Sequence, residues 1–342
     1  MGRNQIMKDR YSRQMLFKPV GEQGQKRIEK GHVMIFGCGA LGTASAETLA
    51  RAGVGKLTII DRDYVEGSNL QRQQLFSESD AIQEMPKAIA AKKRLSEINS
   101  DILIDSHVMD ATGDELIPLL KDVDVVIDAT DNFDVRLMMN DLFHKLSIPW
   151  IFGSCVGSTG MSFTILTKQT PCLNCLLSSG PISGATCDSA GIIAPAVQIV
   201  AAHQTTEALK MLVGDTAALR TKLITFDLWN NQHQMINVSK AKKDDCKACG
   251  EFPSYEYLTD EKKTRTEVLC GRETVQIRSR QPLELSELEK RLQVFGEVRK
   301  NNFLLSLRYQ NYRLVFFHDG RTLIHGTHSV KEAKKIYYQL IG

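Results

Sequence analysis

The chain has 342 residues, of which 42% are hydrophobic and 24% are charged. This composition is ordinary for a globular protein, and the length allows one large or two smaller domains. A net charge of only +3 argues against non-specific binding of nucleic acid. No signal-peptide pattern follows the first residues, and no apolar run reaches the roughly 18 residues of a membrane helix. We therefore expect a soluble, cytoplasmic protein with neither a nucleic-acid nor a membrane partner.

Strands and helices alternate along the first 150 residues. Residues 1–30 are polar with a helical periodicity and predict an N-terminal helical arm. Apolar strands then alternate with amphipathic helices: strands are predicted at 32–36, 56–60, 102–108 and 123–128, and helices at 41–52, 87–98 and 133–146. Two of the strands are continuously apolar, as in a sheet that helices cover on both faces. The pattern predicts an α/β fold with a Rossmann-like, doubly wound, mainly parallel sheet.

The pattern changes after residue 150. Shorter strands are predicted at 161–166 and 223–226, with a long helix at 195–213. Residues 178–191 are rich in Gly, Ser and Thr and predict a flexible loop. The loop contains a lone cysteine, Cys187, which favours a functional role for it.

Residues 265–342 have a pattern of their own. Strands are predicted at 273–277, 303–309 and 312–317, followed by a turn at Asp319-Gly320. A helix at 329–340 begins with the capping box Ser329-x-x-Glu332. Together these elements predict a small α+β tail module. Its residues indicate no chemistry, so support of a dimer or docking of a partner is the favoured role.

The most informative stretch lies at residues 33–74. An apolar strand ends in the turn Gly37-x-Gly39-x-x-Gly42, and Asp61 follows about 20 residues later. Glycines let the backbone approach a phosphate, the helix N-terminus offers free N–H groups, and an acidic residue can bind a ribose hydroxyl. Dehydrogenases share this pattern, so it predicts a nucleotide without choosing which one.

A polar segment shortly after Asp61 narrows the choice. It consists of Ser68, Asn69, Leu70, Gln71 and Arg72. A dehydrogenase has no use for an Asn and an Arg aimed at phosphates here, whereas an enzyme that handles a triphosphate does. The sequence lacks the Gly-x-x-x-x-Gly-Lys-Ser/Thr loop of phosphate-loop NTPases.

Four of the eight cysteines form two Cys-x-x-Cys pairs, Cys172/Cys175 and Cys246/Cys249. Four thiolates are the ligand set of a tetrahedral structural zinc site. About 70 residues separate the pairs, so the metal would tie two distant segments of the C-terminal half together. Redox-active pairs are the less favoured alternative, because neither pair begins a thioredoxin-like helix.

These motifs together resemble the ThiF/MoeB/HesA family, the bacterial relatives of the ubiquitin-activating enzymes. The resemblance covers roughly residues 8 to 250, and Ala40 stands where many members have a further glycine. The matching segments, in family order, are Arg10-Tyr-Ser-Arg13-Gln, Gly37-Cys-Gly-Ala-Leu-Gly42, Asp61-Arg-Asp63, Ser68-Asn-Leu-Gln-Arg72-Gln, Pro86-Lys87-Ala, Asp128-Ala-Thr-Asp131-Asn132, Cys172-Leu-Asn-Cys175, Thr186-Cys187-Asp-Ser-Ala-Gly191 and Cys246-Lys-Ala-Cys249. The resemblance implies an adenylyltransferase domain at residues 31–250.

The resemblance also implies a role for each matching residue. The nucleotide would be ATP, bound with Mg²⁺ at a site that includes Gly37, Gly39, Ala40, Gly42 and the segment from Ser68 to Arg72. Asp61 would hold the ribose, Asn69 and Arg72 the phosphates, and Lys87 the charge of the α- and β-phosphates. Asp131 would bind Mg²⁺, with Asn132 beside the nucleotide. Arg13 resembles the arginine that enters the neighbouring protomer's site, which implies a homodimer.

The substrates of this family are small ubiquitin-like sulfur carriers, ThiS- or MoaD-like, that end in Gly-Gly. Their terminal carboxylate becomes an acyl-adenylate with release of pyrophosphate and then a thiocarboxylate, for thiamine thiazole or molybdopterin synthesis. The carboxylate is already ionised at neutral pH, so the enzyme needs no general base. Cys187 matches the family's covalent cysteine, and a cysteine desulfurase or another donor would supply the sulfur. The tail slightly favours the thiamine pathway.

Two other functions stay open at this point. A Rossmann-type NAD(P)-dependent oxidoreductase with a structural zinc would explain the glycine turn and Asp61. It would leave Arg72, Lys87 and the pair Asp131-Asn132 without a role. A non-catalytic scaffold is disfavoured, because every expected polar position is filled.

Overall fold

The computed structural model describes residues 10–110, 113–179, 191–258, 266–268, 273–279 and 281–341. The chain divides into two compact units, Met1–Leu258 and Thr259–Gly342. In the described ranges, no helix is both long and apolar enough to cross a membrane.

The first unit contains a mixed sheet and the helices that pack on it. Its helices and strands in chain order are α1 (Ser12–Met15), α2 (Gly21–Ile28), β1 (His32–Phe36), α3 (Ala40–Ala52), β2 (Lys56–Asp61), α4 (Glu78–Ile82), α5 (Lys87–Ile98), β3 (Leu103–Val108), α6 (Gly113–Leu116), β4 (Val125–Asp128), α7 (Phe133–Leu146), β5 (Trp150–Val156), β6 (Thr159–Ile165), α8 (Leu173–Ser179), α9 (Ala194–Val213), β7 (Lys222–Asp227) and β8 (Gln232–Asn237). Short 3₁₀ turns lie at Gly67–Asn69, Ile117–Leu120, Thr216–Ala218, Ser239–Ala241 and Glu256–Leu258.

The strands of the large sheet lie in the order β3-β2-β1-β4-β5-β6-β7-β8. The first five pair in parallel, and β5 to β8 pair antiparallel. The chain leaves β1 towards β2 on one side and later returns to β4 on the other side. This reversal of strand order makes a crevice at the carboxyl ends of β1 and β4, which is where ligands bind in open α/β sheets.

All five residues of β1 are buried, because helices cover both faces of the sheet. Val33 and Ile35 join one core with side chains of α3, α5 and α9. Met34 and Phe36 point to the opposite face and join a second core, with side chains of α7 and α8. Packing in the two cores fixes the position and direction of β1 in the sheet, and therefore the position of the glycine turn that follows it.

The second unit is an antiparallel sheet with two helices. Its strands are β9 (Thr266–Val268), β10 (Thr274–Arg278), β11 (Glu297–Lys300), β12 (Leu304–Tyr309), β13 (Tyr312–Phe317) and β14 (Arg321–His325), in the order β11-β12-β13-β14-β10-β9, and its helices are α10 (Leu285–Leu292) and α11 (Val330–Ile341). One core joins the helices to the sheet, through residues such as Leu288, Leu305 and Ile336.

The predicted fold class is confirmed, and several individual elements were missed. The sequence pattern predicted no strand for β5, β8, β9, β11 or β14 and no helix for α4, α6, α8 or α10. The capping box of the last helix is only half formed: the Ser329 hydroxyl accepts from the Glu332 backbone N–H at 3.3 Å. The Ser329 N–H donates instead to the Thr327 hydroxyl, at 3.0 Å, so the reciprocal bond to Glu332 is replaced.

Candidate nucleotide site and cysteine cluster

The glycine turn after β1 is shaped by two close backbone contacts. Gly37 has φ +94°, and a Cβ there would lie 2.6 Å from the carbonyl oxygen of Ala129. A Cβ on Gly42 would lie 2.0 Å from the carbonyl oxygen of Gly37. A Cβ on Gly39 would meet, within 4 Å and among the described residues, only the Gln73 side chain at 3.8 Å. Packing thus explains Gly37 and Gly42, whereas the space at Gly39 leaves room for a group to approach the backbone.

Helix α3 begins at Ala40, directly after this turn. Gly39 is its N-cap, no described side chain caps it, and its first turn contains no acidic residue. Its first N–H groups therefore present a partial positive charge without a side-chain acceptor, which suits a phosphate. The methyl group of Ala40 packs against the core, so the missing glycine costs no clash.

Asp61 ends β2 and fixes the glycine turn. Its Oδ2 accepts the Cys38 backbone N–H at 2.5 Å, and its Oδ1 accepts the Asp63 N–H at 2.7 Å. Burial raises the pKa of Asp61, while Lys87 and the two backbone donors oppose that rise. A carboxylate has about four acceptor positions, so two bonds leave capacity for ribose hydroxyls.

Lys87 begins α5 beside this carboxylate. Its side chain is only 3% exposed, and its Nζ lies 3.4 Å from Asp63 Oδ2. The Lys87 backbone N–H also donates to the Asp63 carbonyl, at 2.9 Å. The structure therefore holds the ammonium at the carboxyl edge of the sheet, and Asp63 is the residue that positions it.

The polar segment after Asp61 divides into exposed and buried side chains. Ser68 and Gln71 are exposed, and Leu70 packs against the core. Asn69 is buried and closes the 3₁₀ turn Gly67–Asn69, where its Oδ1 accepts the Glu66 N–H at 3.0 Å. Its amide oxygen thus acts as a cap, a role that the sequence analysis did not foresee.

Arg72 and Gln73 follow that turn. The Arg72 guanidinium donates to the Ser68 carbonyl at 2.8 Å and stays partly exposed. Gln73 is 3% exposed, and its Oε1 has no hydrogen-bond partner within the described part of the chain. An unsatisfied buried amide beside Gly39 is a candidate ligand contact that the sequence analysis missed. Its position directly after Arg72 was the available signal.

The carboxyl end of β4 places two further candidates next to the glycine turn. Asp131 is exposed, two residues beyond the Ala129 carbonyl that approaches Gly37. Asn132 is the N-cap of α7, where its Oδ1 accepts the N–H groups of Asp134 at 2.8 Å and Val135 at 3.2 Å. Asp131 is therefore free to point outward while Asn132 is held by the helix.

A buried ion pair supports this end of β4. Arg136 Nε donates to Asp128 Oδ2 at 2.9 Å, and both side chains are almost fully buried. Arg136 also donates to the carbonyls of Thr130 and Gly153, so the guanidinium joins the end of β4, the loop that follows it and the middle of β5. Burial raises the pKa of Asp128, and Arg136 opposes the rise.

Arg13 does not reach the glycine turn of its own chain. Gln14 donates to the carbonyl of Ala52, the last residue of α3, at 3.0 Å. Asn99, just after α5, donates to the Tyr11 hydroxyl at 2.9 Å. Helix α3 runs about 20 Å from the glycine turn to Ala52, so the arm docks at the far end of that helix. Arg13 is exposed there.

The four cysteines of the two pairs meet in one cluster. Their sulfur atoms all lie within 4.8 Å of one another, with Cys172 and Cys246 at 3.5 Å and Cys175 and Cys249 at 3.6 Å. Tetrahedral zinc with bonds of about 2.3 Å places its sulfur ligands about 3.8 Å apart, so the donor set fits Zn²⁺. A hydrogen bond from Cys172, and then one from Cys249, lowers the pKa of Cys175.

Helix α7 anchors both cysteine segments. The buried Asn140 side chain accepts the Leu173 N–H at 2.9 Å, between Cys172 and Cys175. The neighbouring Asp141 accepts the Tyr257 N–H at 2.9 Å, shortly after the second pair. The loop predicted at 178–191 begins with the last residues of α8, and its residues 180–190, including Cys187, lie outside the described residues.

The family model for ThiF matches residues 11–248. The chain belongs to the ThiF family. It is 50% identical over 341 residues to the "sulfur carrier protein ThiS adenylyltransferase" of Bacillus subtilis strain 168, covering 98% of this chain and 100% of that protein. It is 32% identical over 270 residues to a "sulfur carrier protein adenylyltransferase" of Thermus thermophilus, covering 77% of this chain and 96% of that protein.

A solved structure shares the fold of this ThiF family member. The crystal structure of Escherichia coli MccB with ATP has a TM-score of 0.60 and 23% sequence identity, over 71% of this chain and 74% of that one. The match to the ThiF model ends before the second unit begins, whereas the match to the B. subtilis protein extends along nearly the whole chain. The second unit is thus shared with a close relative but is no part of the family's common domain.

Proposed function

We propose that this protein is an ATP-dependent adenylyltransferase that activates the C-terminal Gly-Gly carboxylate of a ubiquitin-like sulfur carrier, with release of pyrophosphate. The observation that carries this proposal is the 50% identity, along both whole chains, to the B. subtilis enzyme named for the adenylylation of ThiS. That relative also makes a ThiS-like carrier of thiamine synthesis the favoured substrate over a MoaD-like carrier.

The geometry at the carboxyl edge suits this reaction. The backbone N–H groups at the N-terminus of α3 and in the turn at Gly39 donate hydrogen bonds to the phosphates. The Asp61 carboxylate accepts hydrogen bonds from the ribose hydroxyls. Arg72 and Lys87 stabilise the charge that develops as the carrier carboxylate attacks the α-phosphate and pyrophosphate leaves. Gln73 uses its unpaired Oε1 to position the nucleotide.

We propose that Asp131 is a ligand of the magnesium ion. Asp131 is exposed and lies two residues beyond the Ala129 carbonyl that approaches Gly37, and Mg²⁺ prefers one or two carboxylates together with phosphate oxygens. When bound, Mg²⁺ would offset the negative charge of the phosphate oxygens. Asn132 holds the backbone at this point through the α7 cap, which fixes the reach of Asp131.

Zinc is the metal that we propose for the cysteine cluster. Four thiolates fill a tetrahedral shell and leave no position for water or substrate, so its role is structural. Cys172 and Cys175 would be joined through the metal to Cys246 and Cys249, which reinforces what Asn140 and Asp141 do through the backbone.

A homodimer completes the proposed site. Arg13 is exposed at the far end of α3 from its own glycine turn, so any role in a nucleotide site would be in the site of another copy. Leu16 and Phe17 beside it are also exposed, at 71% and 63%, and offer apolar surface to a partner. A covalent role for Cys187 and a cysteine desulfurase as sulfur donor stay predictions from the family resemblance. A cytoplasmic location stays a prediction from the sequence pattern.

The oxidoreductase alternative gains no support. It uses the glycine turn and Asp61 but assigns nothing to Arg72 or Lys87, and the sequence relatives named above are adenylyltransferases.

The experiment that tests the proposed function uses both carriers. The protein is incubated with ATP, Mg²⁺ and either a ThiS-like or a MoaD-like carrier, and each carrier is weighed by mass spectrometry. We expect the ThiS-like carrier to gain the mass of one AMP group. Absence of an AMP adduct on both carriers, with each carrier folded, would refute the proposal.

A further inference from the structure

A second pocket lies on the antiparallel side of the sheet. This cavity of about 450 Å³ opens between the C-terminal half of α9 and strands β7 and β8. Strand β7 is four strands from β1, or about 19 Å at the usual spacing, so the pocket is separate from the glycine turn. Its charged and titratable lining residues are His203, Glu207, Lys210, Arg220 and Lys222.

The one carboxylate in this lining is fully engaged. Glu207 is 1% exposed, and its Oε1 accepts from Lys210 Nζ at 2.5 Å. Its Oε2 accepts the Arg220 backbone N–H at 2.8 Å and the Thr164 hydroxyl at 3.0 Å. Burial would raise the pKa of Glu207, but these hydrogen bonds outweigh it and lower the pKa overall. Glu207 is therefore ionised and offsets one of the three cations.

The other cations keep unused capacity. Arg220 donates through Nη2 to the Ser162 hydroxyl at 2.9 Å, but its buried Nε–H has no acceptor among the described residues. Lys222 is exposed at the rim and forms no ion pair within the described ranges. The cationic groups that line the cavity can therefore donate charge-assisted hydrogen bonds to an incoming acceptor.

We infer that this pocket binds a small phosphoryl oxyanion, with Arg220 as the central donor and Lys222 at the entrance. An oxyanion neutralises the excess of cations over Glu207, and the guanidinium of Arg220, which lines the cavity, can donate charge-assisted hydrogen bonds to it. A volume of about 450 Å³ is within the roughly 300–1,000 Å³ of small-molecule sites. The ligand is either free phosphate or pyrophosphate, which share this chemistry.

The pocket contains its own reporter, His203. Burial lowers the pKa of His203, Arg220 and then His233 and Lys210 add to the lowering, and Glu207 opposes it. A bound oxyanion adds negative charge beside the imidazole and therefore raises that pKa. An anion at the glycine turn would leave His203 unchanged, because the two sites are well separated.

The test follows His203 by NMR in protein labelled at histidine, while phosphate or pyrophosphate is added at constant ionic strength. We expect saturable binding that raises the pKa of His203, and that persists in Arg72→Ala. Arg220→Gln should weaken the binding about 10-fold or more, Lys222→Gln less, and the exposed control Lys240→Gln less than about twofold.

Two results would overturn the inference. One is that neither anion moves the His203 resonance at any concentration. The other is that Arg72→Ala abolishes anion binding while Arg220→Gln and Lys222→Gln leave it intact. If Arg220→Gln does not fold, Lys222→Gln decides, because that side chain is exposed. Preference for phosphate or for pyrophosphate in the titrations identifies the source of the oxyanion.

Discussion

The cysteine cluster and the glycine-turn edge differ in how far the chain itself satisfies their polar groups. In the cluster the four sulfurs already lie against one another, and Asn140 and Asp141 hold the flanking backbone. At the edge Asp131 is exposed, and the Oε1 of Gln73 is buried without an acceptor role among the described residues.

The difference separates groups that hold the fold from groups that we propose to act in the chemistry. Groups of the first kind have their partners within the chain, so removing them lowers stability. Groups of the second kind keep capacity for a substrate, so removing them lowers the rate and leaves the fold intact. The ion pair Asp128–Arg136 tests this division into two kinds of group. It is buried and paired within the chain, as in the first kind, although it lies at the carboxyl edge of the sheet with the second.

The largest expected effect is on the stability given by the cysteine cluster. Cys172→Ser removes one of the four proposed zinc ligands, and it should lower the free energy of unfolding by several kcal/mol, since zinc binding would be coupled to folding. Metal analysis should give one zinc per chain in the parent protein and much less in the variant. Cys155→Ser is the control and should keep its zinc. Metal analysis that finds no zinc in the folded parent protein would contradict the assignment of zinc to the cluster.

The next effect concerns the buried ion pair. Arg136→Met leaves Asp128 charged and unpaired in the core, which should cost about 3–5 kcal/mol of unfolding free energy in urea titrations. The folded-state pKa of Asp128 is already raised and rises further without Arg136, so its stabilising contribution is present at low pH and is lost as the pH rises through that value. The deficit should therefore be larger at pH 7 than at pH 5. An equal deficit at both values would mean that lost packing dominates.

At the glycine-turn edge we expect the opposite of the first two predictions: the rate falls while the stability is unchanged. Arg72→Ala and Asp131→Ala should each lower carrier adenylylation about 100-fold or more, which is about 2.7 kcal/mol of transition-state stabilisation. Their thermal unfolding should match that of the parent, because both side chains are at least partly exposed. The matched controls are Arg94→Ala and Asp101→Ala, at exposed positions away from the edge. A variant as active as its control removes that residue from the site.

The smallest expected effect is the activity regained when two inactive variants form mixed dimers, and it tests whether Arg13 acts in the site of the other protomer. Arg13→Ala and Arg72→Ala proteins are mixed, dissociated and reassociated. If Arg13 acts in the partner's site, half of the dimers are mixed and each has one intact site, so about a quarter of the parent activity returns. No gain over the separate variants would place Arg13 outside the partner's site.

The sequence predicted the parts of the fold that depend on local pattern. Apolar runs predicted both bounds of β1, the bounds of β2 within one residue and the end of β4, and helical periodicity predicted both bounds of α5 and α7. Strand β5 was missed because its Gly153 and Ser154 break the apolar run, and Gly153 is required there by the close contact of Gln204. Strand β8 is exposed along its whole length and shows no alternation to detect.

Site geometry was less accessible to sequence because it depends on long-range contacts. The spacing of the cysteines predicted which four meet, since the donor type itself indicates the cluster. Nothing local indicated that Asn69 would cap a turn, that Gln73 would be buried beside Gly39, or that the arm would dock at Ala52. Those features follow from how α3 and α5 carry the chain from one edge of the sheet to the other.

The central claim is that the glycine-turn edge activates a carrier's terminal carboxylate with ATP. Carrier-dependent exchange of labelled pyrophosphate into ATP measures that step most directly. We predict exchange with an intact ThiS-like carrier, none with a carrier that lacks its last glycine, and a loss of about 100-fold or more in Arg72→Ala. Exchange that proceeds equally without any carrier, or that never appears with an intact one, would contradict the account.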